Sequence, residues 1–351
     1  MIQLDCERLR APFNGFYTYT LQLALALAEE SRNRSEALKI YCPTKAAGIF
    51  PDDIAKQIWH HTDKYLMPIS RNVKLHHATN QLSRYIPRSW RVPVIQTVHD
   101  LNYRHLQHVS SGFEEKTKHA VHNASHIITI SNFVKEDIVD CFGYDPAKID
   151  VIHNGVSIYS GAITEPANKP KRPFILFVGR IDVSKNVQVI PALLKGTDYD
   201  LILAGKIGKD TTAVDLVKAE AAKWGVSDRV ILTDAVSEPE KHWYLKNCEA
   251  FIFPSLAEGF GLPIIEAMHY RKPVFCSDRT SLPEIGGDFV FYFNHDFEPC
   301  AMQEEFRKGM DKFVNEPFDP KAFEAHLGKY SWKDVAKRYY DVYEKVLAEL
   351  G

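Results

Sequence analysis

Short apolar runs alternate with helix-period stretches along most of this chain. Val92–Val98, Ile127–Ile130 and Ile149–Ile152 in the first half have the length and content of buried strands, as do Phe174–Val178, Leu201–Ala204, Val230–Leu232 and Phe251–Phe253 in the second. Leu21–Ala28 is apolar but short, so it predicts a buried helix; a membrane span needs about 18 apolar residues. Trp332–Leu350 has apolar residues at 332, 335, 336, 339, 342, 343, 346, 347 and 350, which is helical spacing, and Ser331 with Asp334 fits an N-cap. Strands alternating with helices predict an α/β protein with parallel sheets. The texture changes at Ser160–Pro173, where Gly161, Pro166, Pro170 and Pro173 sit among Lys and Asn. The simplest account is two Rossmann-like domains, 1–160 and 174–330, joined by a linker at 161–173. The final helix, 331–351, is suited to packing back on the first domain. Open α/β sheets bind ligands outside the C-terminal strand ends, which predicts a site in a cleft between the domains.

Composition narrows the class. A chain of 351 residues can bury a sizeable core, and a net charge of −2 gives no electrostatic case for nucleic-acid binding. Ile2-Gln3-Leu4 follows the first Met without a basic stretch, so no signal peptide is expected. The six cysteines form no C-x-x-C pair, which fits a reduced, cytoplasmic protein with buried thiols.

The chemistry concentrates in Glu258-Gly259-Phe260-Gly261-Leu262-Pro263-Ile264-Ile265-Glu266, where two carboxylates bracket a glycine turn. Pro263 is expected at the first helical position, with Glu266 in the first turn beside the positive end of the helix dipole. Such a helix start suits a diphosphate, and the two Glu suit sugar hydroxyls. Arg180 and Lys185 follow the strand Phe174–Val178; read alone, they are either solvated cations or phosphate ligands. His99 ends Val92–Val98, a place where a lone His is usually a structural hydrogen-bonder. Gly15 is either a turn glycine or a point of close backbone approach. Ser131 reads as a helix cap, and Asn154-Gly155 as a turn. Asp198-Tyr199-Asp200 spells a D-x-D but precedes a strand, so no metal is assigned to it. His119, His122 and His126 at helical spacing read as a polar helix face, and His60-His61 and His76-His77 lack ligand spacing.

The Glu258–Glu266 segment resembles the Glu-x7-Glu motif of retaining glycosyltransferases of family four, with the GT-B fold. Its surroundings resemble the family too: Ala250–Ser255, Ala267-Met268, Pro273–Cys276, Ser281–Gly287, and Val178–Asn186 with its Gly-Arg and Lys-Asn pairs. Val98-His99-Asp100 resembles the His-Asp of the first domain, and Arg8–Leu27 the first loop and helix, although Asn14 stands where a second glycine is common. The resemblance implies two Rossmann-like domains facing across a cleft. It implies that Arg180 and Lys185 bind the donor diphosphate, that Glu258 holds sugar hydroxyls and Glu266 the ribose, and that His99 contacts the donor sugar. Gly15, Gly205, Gly259, Phe260, Gly261 and Leu262 would line the donor.

The implied reaction is transfer of a sugar from a nucleotide-diphosphate donor to a hydroxyl of a growing glycan, without metal or cofactor. The Glu258 turn and the Ser281–Gly287 loop are similar to those of bacterial mannosyltransferases of O-antigen or capsule synthesis, which makes GDP-mannose the first expected donor and UDP-glucose the second. Acceptor contacts are expected in the first domain, around Leu101–Gly112. A lipid-linked acceptor would bring the enzyme to the inner membrane surface; Arg8, Arg10, Arg32, Arg34, Arg84, Arg88 and Arg91 supply basic residues on the first domain, for which solvated surface is the default reading. The rival readings are a sugar-nucleotide 2-epimerase of the same fold and a non-catalytic sugar-nucleotide-binding protein. A dehydrogenase is disfavoured, since no G-x-G-x-x-G follows the first strand.

Overall fold

A computed structural model describes residues 1–11, 15–87, 91–106 and 111–350. Asn14, Arg88 and 107–110 lie outside the described residues. The chain forms two compact units, Met1–Ser157 with Lys329–Gly351, and Ile158–Gly328.

The first unit is built on a parallel sheet of β1 (Ile2–Asp5), β2 (Leu38–Cys42), β3 (Ala55–Ile58), β4 (Leu75–Ala78), β5 (Val94–Val98), β6 (His126–Thr129) and β7 (Ile149–Val151). Their spatial order is β3-β2-β1-β4-β5-β6-β7. The chain steps outward one way from β1 through β2 to β3, and the other way from β4, so the order reverses between β1 and β4. Helices α1 (Gly15–Glu30), α2 (Ser111–Asn123) and α3 (Asn132–Phe142) follow their strands. Ser131 caps α3, its hydroxyl accepting from the Val134 N–H at 3.3 Å.

The second unit repeats the plan with β8 (Phe174–Val178), β9 (Asp200–Ala204), β10 (Val230–Asp234), β11 (Ala250–Phe253), β12 (Val274–Ser277) and β13 (Phe291–Phe293), in the order β10-β9-β8-β11-β12-β13 and all parallel. Here the reversal falls between β8 and β11. Its helices are α4 (Thr212–Lys223), α5 (Glu238–Asn247), α6 (Leu262–His269), α7 (Leu282–Gly286), α8 (Pro299–Asn315) and α9 (Pro320–Gly328).

The last helix, α10 (Trp332–Leu350), belongs to the first unit and packs on α1. Val335, Tyr339, Tyr343 and Val346 share a core with Leu23, Leu27 and the β1 and β2 side chains. Buried polar contacts fix its register. Tyr339 and Tyr19 hydroxyls meet at 2.7 Å, and the His77 ring bridges the Tyr343 hydroxyl (2.7 Å) and the Thr97 hydroxyl (2.8 Å). A Cβ at Gly155 would lie 2.3 Å from the Trp332 ring, so that turn stays glycine to let α10 close down.

The structure adjusts several expectations. β5 starts at Val94, because Pro93 has no N–H to give the ladder. Strands β1 to β4 and β13 escaped the apolar-run reading: polar residues interrupt the first four (Gln3, Lys39, Lys56 and Gln57, His76 and His77, the two His fully buried), and β13 is only three residues long. His126 is not on a helix with His119 and His122; it sits in β6 and pairs with Asp150 at 2.7 Å. Asp200 opens β9, and its carboxylate accepts from the backbone N–H and guanidinium of Arg172. Among the described residues no helix is long and apolar enough to cross a membrane.

Candidate active site

In doubly wound sheets, the loops on either side of the order reversal splay apart and leave a crevice for a ligand. In the second unit those loops follow β8 and β11, and they carry Arg180–Lys185 and Glu258–Leu262. The two loops are tied together. Lys185 Nζ donates to Glu258 Oε1 at 2.6 Å and lies 5.9 Å from the Phe253 ring centre. The Ser184 carbonyl accepts from the Leu256 N–H (2.9 Å) and the Ser255 hydroxyl (3.3 Å). Arg180 is two-thirds exposed, and its Nε donates to Asp182 at 2.5 Å. Burial works against charge on Asp182, but the Ser184 hydroxyl and the cations Arg180 and Lys185 outweigh it and hold its pKa below the ordinary value. Asp182 therefore stays anionic and keeps Arg180 at the strand end.

Glu258 is braced from a third loop. Its N–H donates to the Thr280 hydroxyl (3.0 Å), and its carbonyl accepts from the Ser281 hydroxyl (2.9 Å). Gly261 turns the chain into α6 at φ +100°, and a Cβ there would lie 2.5 Å from a Leu282 methyl. Only glycine fits both demands. The helix consequently opens at Leu262, with Pro263 second rather than first. Glu266 is thus the fifth helical residue, beyond the first turn where it was expected. Its carboxylate instead accepts from Lys241 Nζ on α5 at 3.1 Å. Gly259 and Phe260 are buried in the turn. Gly205 follows β9, where a Cβ would lie 1.8 Å from the Gly179 carbonyl oxygen; the close approach of two backbones accounts for this glycine.

The corresponding reversal in the first unit lies between β1 and β4. Arg8, after β1, donates to the Asn80 side chain at 2.7 Å and stacks over Phe16 at 5.1 Å. Among the described residues, Asn80 Nδ2 and Arg8 Nε are buried without a hydrogen-bond partner. Asp5 accepts from the Glu7 N–H and the Ser83 hydroxyl, and burial plus the Glu7 charge push its pKa up to about 7. Nothing in residue type or spacing marks Asp5 and Asn80 in the sequence, and Arg8 stands out there only as a basic residue at the start of the first loop. The order reversal beside β1 is the signal that finds them. Gly15 opens α1 with open space where a side chain would stand. His99, after β5, is buried; its Nε2–H donates to the Thr79 carbonyl at 2.8 Å, and Phe16 and Tyr19 pack edge-on at 5.0 and 4.5 Å. Burial lowers its pKa to about 4, so the ring is neutral near pH 7. The basic residues expected on this unit are largely engaged: Arg10 with Glu7, Arg32 with Asp53, and Arg34 with Glu30, Asp341 and Glu344.

The profile described as Glycosyl transferases group 1 matches residues 162–333, and that described as Glycosyltransferase Family 4 matches 71–159. The chain belongs to glycosyltransferase family 4. The MMP alpha-(1->4)-mannosyltransferase of Mycolicibacterium hassiacum is 25% identical over 280 residues, 75% of this glycosyltransferase and 62% of that protein. The O-antigen chain mannosyltransferase of Salmonella typhimurium is 31% identical over 183 residues, 52% of this chain and 50% of its own length. The chain thus spans about half to two thirds of these two relatives. A glycosyltransferase structure from Rickettsia africae superposes with a TM-score of 0.71 at 16% identity, covering 99% of this chain and 98% of that one, and shows the shared GT-B fold.

Proposed function

We propose that this glycosyltransferase moves a hexose from a nucleotide-diphosphate sugar to a hydroxyl of a growing glycan, retaining the anomeric configuration and using no metal. GDP-mannose is the first donor proposed and UDP-glucose the second. The mannosyltransferase relatives support the sugar, and the O-antigen relative supports a role in surface polysaccharide or lipopolysaccharide synthesis. We place the reaction on the cytoplasmic side, at the membrane surface where the acceptor is lipid-linked. The observation that carries the proposal is the meeting of Lys185 and Glu258 at the order reversal between β8 and β11.

The chemistry follows the charge. When the sugar–phosphate bond breaks, its electron pair stays on the diphosphate oxygen. Arg180, Lys185 and the positive end of α6 stabilise that growing charge. Lys185 already faces Glu258, so an arriving diphosphate gives its ammonium a second anion. Glu258 then holds hydroxyls of a sugar that becomes oxocarbenium-like, and Glu266 holds the ribose. His99 keeps the role the resemblance implies, a contact to the donor sugar. The test is steady-state turnover of Arg180→Ala and Lys185→Ala. Each should lose on the order of 10²-fold in kcat with the fold intact, as other electrostatic stabilisers do. Near-normal turnover in both sinks the assignment.

A further inference from the structure

Lys241 is unusual for a lysine. It lies on α5 with its side chain only 14% exposed, and it reaches α6 rather than solvent. Its ammonium donates to Glu266 at 3.1 Å and faces Glu238, one turn back, at 2.8 Å. Burial opposes the charge, but the carboxylates of Glu266 and Glu238 outweigh it and raise the pKa above its ordinary value. The ammonium is therefore permanent near neutral pH. The helices have a tie besides this contact. The His242 ring meets the Tyr270 hydroxyl at 2.9 Å and stacks on Tyr159 at 4.3 Å. The two carboxylates of the motif are treated alike, each facing an ammonium from another element: Glu258 from Lys185, and Glu266 from Lys241. A carboxylate held at one oxygen keeps the other oriented for a ligand hydroxyl, whereas an unpaired Glu samples several rotamers that binding must then freeze.

We propose that Lys241 is a positioning residue for the donor nucleotide, fixing the Glu266 carboxylate so that it reads the ribose hydroxyls of a nucleoside diphosphate. This rests on the assignment of Glu266 to the ribose. It makes ribose recognition in this chain a property of the α5–α6 pair rather than of the motif alone.

The test is calorimetric binding of GDP and UDP, and of their 2′-deoxy and 3′-deoxy counterparts, to the full chain and to Lys241→Met, Lys241→Arg, Glu266→Gln and the Lys241→Met/Glu266→Gln double variant. The nucleotide that binds the wild type should prefer ribose over at least one deoxy form. Lys241→Met should bind on the order of tenfold more weakly, as when one hydrogen bond to a ligand is lost, and should lose most of that preference. Lys241→Arg should restore both, and the double variant should be no worse than Glu266→Gln. A merely structural lysine would lower the melting temperature without changing the ribose preference. If Glu266→Gln loses the preference while Lys241→Met keeps it, the proposal for Lys241 is overturned and Glu266 stands. If Glu266→Gln itself keeps the preference, the ribose assignment of Glu266 falls and takes the proposal with it.

Discussion

Acid should unfold the first unit well before carboxylate protonation alone would. His76 and His77 are fully buried on β4, and burial lowers both pKa values to about 3; His99 is lowered to about 4. All three rings are neutral in the fold and titrate near 6.5 once exposed. Their stability contribution is therefore complete above pH 6.5 and is lost as pH falls toward 4. Asp5 acts in the opposite sense: its raised pKa, about 7, means the fold retains a proton that the unfolded chain releases above its ordinary value of 3.8. Near pH 5 the unfolded state binds about three extra protons and the folded state about one. The net of about two makes stability fall by about 2.7 kcal/mol per pH unit near pH 5, and by about 3 kcal/mol in all between pH 6.5 and 5, because the groups are only part-titrated at the upper end. That is a large part of the 5–15 kcal/mol typical of a domain. Urea titrations at a series of pH values, followed by tryptophan fluorescence and circular dichroism, measure the slope. His77→Gln should start less stable, having lost its contacts to Tyr343 and Thr97, but should show a slope shallower by about 1.4 kcal/mol per pH unit. A flat profile from pH 7 to 5, or an unchanged slope in His77→Gln, refutes the reasoning.

Other substitutions test particular contacts. Gly155→Ala drives a methyl into the Trp332 ring and should loosen α10, costing roughly 1–3 kcal/mol in urea unfolding. Gly261→Ala combines φ +100° with a clash on Leu282; it should destabilise the second unit by roughly 1–3 kcal/mol and reduce donor binding seen by calorimetry. Thr280→Val removes the hydroxyl that accepts from the Glu258 N–H and should cost about 1–3 kcal/mol, read as a lowered melting temperature.

The long apolar strands were legible because a buried parallel strand must be apolar on both faces. Phe174–Val178 and the C-terminal helix were read at the bounds the structure gives. β4 was not legible, because its buried imidazoles look polar in sequence while the fold satisfies His77 through Thr97 and Tyr343. The start of α6 was displaced by one residue, since a proline tolerates either of the first helical positions and the left-handed Gly261 chooses between them. The Glu258–Glu266 motif and the Arg180–Lys185 loop announced themselves by residue type and spacing. Thr280 and Lys241 did not, and Ser281, although its loop resembled the family, gave no sign of its bond to Glu258: each reaches the motif from elsewhere in the chain, and a hydroxyl or a lysine carries no signal until its partner is placed. Asn80 was silent for the same reason.

The central claim is that the second unit binds a nucleotide-diphosphate sugar and labilises it by charge alone. The most direct measurement incubates the protein with a panel of nucleotide sugars, without acceptor and with EDTA, and follows thermal shift and slow nucleotide release. The account predicts that one donor, GDP-mannose first and UDP-glucose second, raises the melting temperature and releases its nucleotide despite the chelator, and that Arg180→Ala and Lys185→Ala each slow the release on the order of 10²-fold. Absence of a shift with every donor, or release that requires added metal, would contradict it.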